Sequence, residues 1–462
     1  MSYIVDLAPE LQIHIARNLV VRDLINLSIT CTSLRSVLEP DIYRTIGWTW
    51  HHSGKTTSRP IHALLRNLLN KPKRALWVQN ANFQELGYGD KPLLSTAQFS
   101  NEEVRSIRLL LENAQFPDIE EWMGDIRHGS IDAILAVILV QLCNLKSLTI
   151  DLFLRHDDDL AYITPNKSRI GQVLRHASSA PVSASLARLS HLEQLEWPSP
   201  NFPGPMCFLR PIDIDDALSL LGLPVLQKYS VKIDQQPPGR FPKYSEMKIQ
   251  AKHLTTLRLR FSTVSFTALE GILSSTPSLT VLDMECSRDM GCLEAGDLWS
   301  FNGEALRIAL NRCNSTLKSL RMVCTVNDPM LDIPVSEFFP SPLGSLSQLC
   351  NLEVVEMCLP LLIGIITPTV DAIQTAMPAS LERITIREDG YDLIGAGKLK
   401  DVVSELAIKD SSNPPRLKQV GLCVDLESWD RKEIGRIQDS FRDSRLELLV
   451  QHSGECFSGP RT

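Results

Sequence analysis

Paired cysteines, long runs of one charge and membrane-length apolar stretches are all missing from this chain of 462 residues. No Cys-x-x-Cys occurs and no Cys/His set has zinc-finger spacing, so neither a zinc module nor a disulfide framework is indicated. The eleven cysteines are scattered, several of them inside apolar runs, as at Cys324 and Cys423. That usage fits reduced thiols packed as small apolar residues in a cytoplasmic or nuclear protein. The longest apolar runs, Ile134 to Leu142 and Cys358 to Ile366, fall short of a bilayer span, and a proline interrupts the second. No basic start leads into an apolar run, so neither a secretory signal nor a membrane partner is expected. A net charge of −7 with no basic tract offers nothing to follow a nucleic-acid backbone.

Catalytic signatures are equally scarce. Ser53 to Thr57 ends like a phosphate loop, but Thr49 stands where the partner glycine belongs, and Ile394 to Lys400 lacks the hydroxyl after Lys398. Neither a Gly-x-Ser-x-Gly elbow nor a His-Glu-x-x-His pair occurs. His51 and His52 are adjacent and would point apart on a regular element. The acidic triplet Asp157 to Asp159 lacks calcium-loop spacing. No enzyme activity, metal or cofactor is therefore expected.

Two patterns are present. The first lies between Leu7 and Leu38. Pro9 suits a first helical position, and Leu11, Ile15 and Leu19 follow at helical spacing. Asp23 can start a second helix carrying Leu24, Leu27, Ile29 and Cys31, and Leu34, Val37 and Leu38 make a third stripe that Pro40 is expected to stop. Such short helices carry more apolar surface than they can hide by themselves.

This stretch resembles an F-box. Leu7, Pro9, Glu10, Leu11, Ile15, Leu19, Asp23, Leu24, Leu27, Cys31 and Leu34 stand at the places of that family's pattern. Ala8 departs from it where many members have proline, as does Leu34 where some have Trp. The resemblance implies docking on the Skp-family adaptor of a cullin–RING ubiquitin ligase. Leu7, Pro9, Leu11, Ile15, Leu24, Leu27, Cys31 and Leu34 are the expected adaptor-binding residues.

The second pattern is a repeat, Leu-x-x-apolar-x-apolar. It begins at Leu145, Leu192, Leu226, Leu254, Leu279, Leu317, Leu352, Leu381 and Leu417, with a frayed tenth at Leu446 and Leu449. Positions i+3 and i+5 share a face on a strand but lie far apart on a helix, so each unit reads as a short strand. Helical patterns fall between several of them: Ile212 to Leu221, Phe266 to Leu273, Gly303 to Leu310, Val370 to Met377, Lys398 to Ala407 and Arg431 to Phe441. Strand and helix in alternation predict a parallel sheet, and the variable step predicts stacked units with loops of unequal length.

The array resembles an irregular leucine-rich repeat, a common companion of an F-box. The expected fold is thus α/β: a small three-helix F-box over residues 1–46, a connecting region with the first part of the array over 47–140, and a repeat solenoid with a curved parallel sheet over 141–455. Side chains alternating with the apolar positions would line one strip of mixed charge. Arg258, Arg260, Asp283, Glu285, Arg321, Glu356 and Arg387 are its candidate target-binding residues, and both signs together argue for a protein target rather than DNA. The resemblance implies a substrate-recognition subunit of a ubiquitin ligase. The alternative is a plain interaction scaffold whose N-terminal helices cap the array.

Overall fold

A computed structural model describes residues 4–51, 59–86, 99–151, 168–179, 189–197, 212–234, 250–260, 262, 264, 266–288, 302–326, 341–364, 369–388, 396–408, 414–424 and 429–452. The loops at Ser53 to Thr57 and Asp157 to Asp159 lie outside these residues. The chain divides into two compact units. Unit 1 comprises Met1–Ile212 and Ser219–Leu226; unit 2 comprises Asp213–Leu218 and Gln227–Thr462. Both are α/β with parallel strands.

Unit 1 opens with three helices, α1 (Pro9–Ala16), α2 (Val21–Thr30) and α3 (Thr32–Arg44). Pro9 sits at the helix start, where its missing N–H costs nothing. The N-terminus of α3 is capped by Cys31, whose sulfur accepts from the Leu34 amide at 3.4 Å. Pro40 does not end α3, which continues through it to Arg44. Ala16, Leu24, Leu34 and Leu38 form a small core, with Leu19, Leu27, Cys31 and Ile42 packed against it.

From α3 the chain passes directly into strand β1 (Thr45–His51), which pairs in parallel with β2 (Asn80–Leu86). Then come β3 (Ser147–Asp151) and β4 (Gln194–Trp197), each paired to the strand before it. So the paired strands of unit 1 begin at Thr45. Arg74 to Trp77 belong to a 3-10 helix over Pro72–Trp77. Behind the strands, the helix Ile131–Gln141 is buried on nearly every side, as its unbroken apolar sequence requires.

Unit 2 adds eight strands: β5 (Lys228–Val231), β6 (Thr256–Leu259), β7 (Val281–Arg288), β8 (Ser319–Val326), β9 (Val354–Cys358), β10 (Arg383–Arg387), β11 (Gln419–Val424) and β12 (Glu447–His452). Each pairs with the next in chain order, and helices stand between several of them. The inward row Tyr229, Leu257, Leu282, Leu320, Val355, Ile384 and Val420 is in register and buried. In the last strand, Leu448 rather than Leu449 lies opposite Val420, one residue earlier than the spacing predicts. Leu449 therefore pairs with Gly421 in the neighbouring row.

The leading leucine of each unit is sealed as well, as at Leu254, Leu279, Leu317 and Leu352. Its amide closes a turn three or four residues back, and the next amide bonds to the preceding strand: Glu353 N to Lys318 O at 2.8 Å, Glu382 N to Glu353 O at 2.8 Å. Backbone pairing thus starts before each strand proper and holds every unit at one height.

Candidate functional site

Two surfaces carry the residues that the sequence singles out. The first is the N-terminal helical module. Eleven large hydrophobic residues are exposed among the described residues, and seven of them lie here: Val5, Leu11, Ile15, Val20, Val21, Ile25 and Ile29. Ile29 is 73% exposed and Leu11 53%. Exposed single hydrophobics are ordinary, whereas seven on one small module form a cluster.

The local reason is that α2 is apolar on two sides. Leu24 points into the module's core, with Leu27 packed against that core. Val21, Ile25 and Ile29 recur every four residues on another side, and that side is left in water. The buried Gln12 holds the approach to α1 in place, its amide donating to the carbonyls of Leu7 at 2.9 Å and Ile4 at 3.2 Å.

The expected docking residues therefore divide. Pro9, Leu11 and Ile15 are exposed, and Leu7, Leu27 and Cys31 are half-buried. Leu24, only 4% exposed, and Leu34 are core residues with no surface to offer, and Cys31 is occupied as a helix cap. Val21, Ile25 and Ile29, absent from the expected set, are exposed. The four-residue spacing of the outer stripe is the signal that could have found them.

The second surface is the outward face of unit 2's sheet. Ser230, Arg258, Asp283, Arg321, Glu356, Thr385 and Gly421 stand in one register row, with Arg260, Glu285 and Arg387 displaced toward the strand ends. An open strip of free charges is not what these residues make. Arg321 Nη1 donates to Asp283 and to Glu285, each at 2.8 Å, and its Nε to Glu356 at 3.1 Å. Arg387 donates to the same Glu356 oxygen at 2.5 Å, and Arg260 to Glu285.

Arg260, Glu285 and Arg387 are buried, Glu285 at 1% exposure and Arg387 at 2%, and Asp283, Arg321 and Glu356 are half-buried. Burial alone would lower the Arg321 pKa; Asp283, Glu356 and Glu285 outweigh it and hold the guanidinium above its ordinary range. At Gly421 a Cβ would collide with the Thr385 side chain, and the row passes on to Leu449. The exception is Arg258. Its side chain is 34% exposed, and its Nε stands 3.9 Å from Asp283, beyond hydrogen-bond distance.

Among the described residues, no group of three His, Cys, Asp or Glu could hold a metal ion. Two thiols are held in the protonated form. Burial pushes Cys286 up to about 12, with Glu285 and Cys358 adding to it, and Cys313 up to about 11. Lys400, near the second phosphate-loop candidate, lies over the Trp429 ring and pairs with Glu433 at 2.6 Å. Among the described residues, no helix is long and apolar enough to cross a membrane. No family model matches the chain, and no curated protein matches it.

Proposed function

We propose that the chain is the substrate-recognition subunit of a cullin–RING ubiquitin ligase. The N-terminal module docks a Skp-family adaptor in the manner of an F-box, and the leucine-rich-repeat-like array, curved as a solenoid, binds a target protein. The observation that carries this reading is the cluster of exposed apolar side chains at Val5, Leu11, Ile15, Val20, Val21, Ile25 and Ile29, on the segment that resembles an F-box. Burying one such side chain contributes ~1.5–3 kcal/mol, so two or three of them dominate a contact of this size.

The test is co-expression with a Skp-family adaptor. Ile25→Glu together with Ile29→Glu abolishes co-purification and leaves thermal unfolding unchanged, because both side chains are already in water. If the double variant still co-purifies, the docking surface is wrong. If the parent chain never co-purifies with the adaptor, the scaffold reading stands instead. Leu24→Asp is the poorer variant, since it places an unpaired charge in the module's own core.

A further inference from the structure

Across β5, β6 and β7 of unit 2, several buried polar atoms have no hydrogen-bond partner among the described residues. Ser230 Oγ, Arg258 Nε and Arg260 Nε are three donors in this position, and Glu285 Oε2 is a single acceptor. Ser230 and Arg258 are register partners on adjacent strands. Arg260 follows two residues on, its amide bonded to Val231 O at 2.7 Å, so its side chain leaves the same face as Arg258. Ser230 and Arg260 are both more than nine-tenths buried. A buried donor left unpaired is costly, and four orphaned atoms across these strands, beside a fully engaged network, call for a ligand.

The donors define its chemistry. Two guanidinium groups and a hydroxyl share one face beside a single acceptor, a donor set that suits an oxyanion. Glu285 Oε1 already receives Arg260 and Arg321, while its second oxygen receives nothing. A ligand that only accepts would leave that oxygen unmet. A carboxylate side chain on a peptide brings both halves, an acceptor and a backbone N–H a few ångströms away. Arg258, one-third exposed and without a close ion pair, is the way in.

We infer that Ser230, Arg258, Arg260 and Glu285 form a recognition site for an acidic side chain of a peptide segment. This rests on the reading that the sheet face receives the target; it is independent of adaptor docking. Arg258 grips the carboxylate from the open side, and Ser230 and Arg260 meet it from beneath. Arg321 and Arg387 position the site by holding Glu285 and Glu356 and touch no ligand themselves.

The test uses the full-length chain alone, with a fluorescein-labelled peptide of alternating Glu and Gly followed by anisotropy, and its Gln–Gly counterpart as control. The Glu peptide binds saturably, and the Gln peptide binds at least ~10-fold more weakly. Arg258→Gln weakens binding by ~10-fold or more, and Arg258→Lys by less, since it keeps the charge and loses the planar fork. Ser230→Ala weakens binding while the thermal midpoint holds or rises, because the variant removes a buried hydroxyl that has no partner; a purely structural role would not separate the two readouts. Lys418→Gln, in an exposed pair with Glu382, leaves binding unchanged.

Equal binding of the Glu and Gln peptides, full binding by Arg258→Gln, or displacement of the peptide by an equal concentration of inorganic phosphate overturns the proposal. The first two leave no carboxylate site, and the third leaves a simple anion site. Failure here leaves adaptor co-purification untouched, and failure of co-purification leaves this site untouched.

Discussion

The N-terminal module and the sheet of unit 2 depart from the usual division of polar and apolar residues in opposite senses. In the module, Ile25 and Ile29 stand in water while Gln12 and Ser28 are buried. In unit 2, Glu285, Arg260 and Arg387 are buried on a sheet face that strand alternation alone would assign to solvent. The first departure is uncompensated among the described residues, and the module's outer stripe stays exposed. The second is compensated almost throughout, because each carboxylate sits between two arginines. Exposure therefore distinguishes the module's surface, and pairing distinguishes the sheet's. The informative residues there are the few that the network leaves incomplete.

The sharpest way to break this comparison is to remove a carboxylate from the network. Glu285→Ala leaves Arg260 and Arg321 short of a partner, and it costs ~3–5 kcal/mol by urea unfolding of the intact chain, the usual effect of stranding buried charge. A cost below ~1 kcal/mol would mean that the strip is solvated after all. Next in size is Leu34→Ala, which opens a cavity in the module's small core and lowers stability by ~2–5 kcal/mol. Circular dichroism reports it as an early transition if the module melts by itself.

The smallest effect sets the scale for an ordinary ion pair. Glu103 completes a capping box with Ser100 and meets Arg66 at 2.6 Å. Burial raises its pKa, but the Ser100 amide and Arg66 outweigh that, and the net shift is downward from 4.5. A lowered native value means that the carboxylate contributes its full stability above about 4.5 and loses it as the pH falls through the native value. Glu103→Gln therefore costs ~0.5–1 kcal/mol at neutral pH and nothing in strong acid, read from thermal midpoints at several pH values.

What could be read in advance follows from what each signal depends on. The Leu-x-x-apolar-x-apolar units from Leu145 to Leu417 report burial on one face of a strand, and their strands lie where that spacing puts them. The tenth failed by one residue, because Leu448, Leu449 and Val450 are all apolar and only pairing with β11 selects the phase. β2 escaped because Ala81 occupies the place of a large apolar residue opposite Leu148. β1 escaped because its alternating Ile46, Trp48 and Trp50 follow a helix with no break between them. Pro40 was a poor stop signal because Arg74 holds α3 on both sides of it, pairing with Glu39 before it and lying over the Tyr43 ring after it.

The charged residues were found and their state was not. Alternation identifies Asp283, Arg321 and Glu356 as sharing a face, but opposite charges become neighbours only through register between strands far apart in sequence. In the same way, helical spacing found the apolar residues of α2 and could not say which of its two stripes the module would use for itself.

The passage from α3 into β1 without a single intervening residue has a mechanical consequence. A body gripping the outer stripe of α2 holds, through the module's shared core and the clasp of Arg74 on Glu39, something fastened to the first backbone ladder. There is no swivel at that point. Torque on the helices is delivered to the hydrogen bonds between Thr45 and Leu86, so the module acts as a handle welded to the front of the sheet rather than a tag trailing from it.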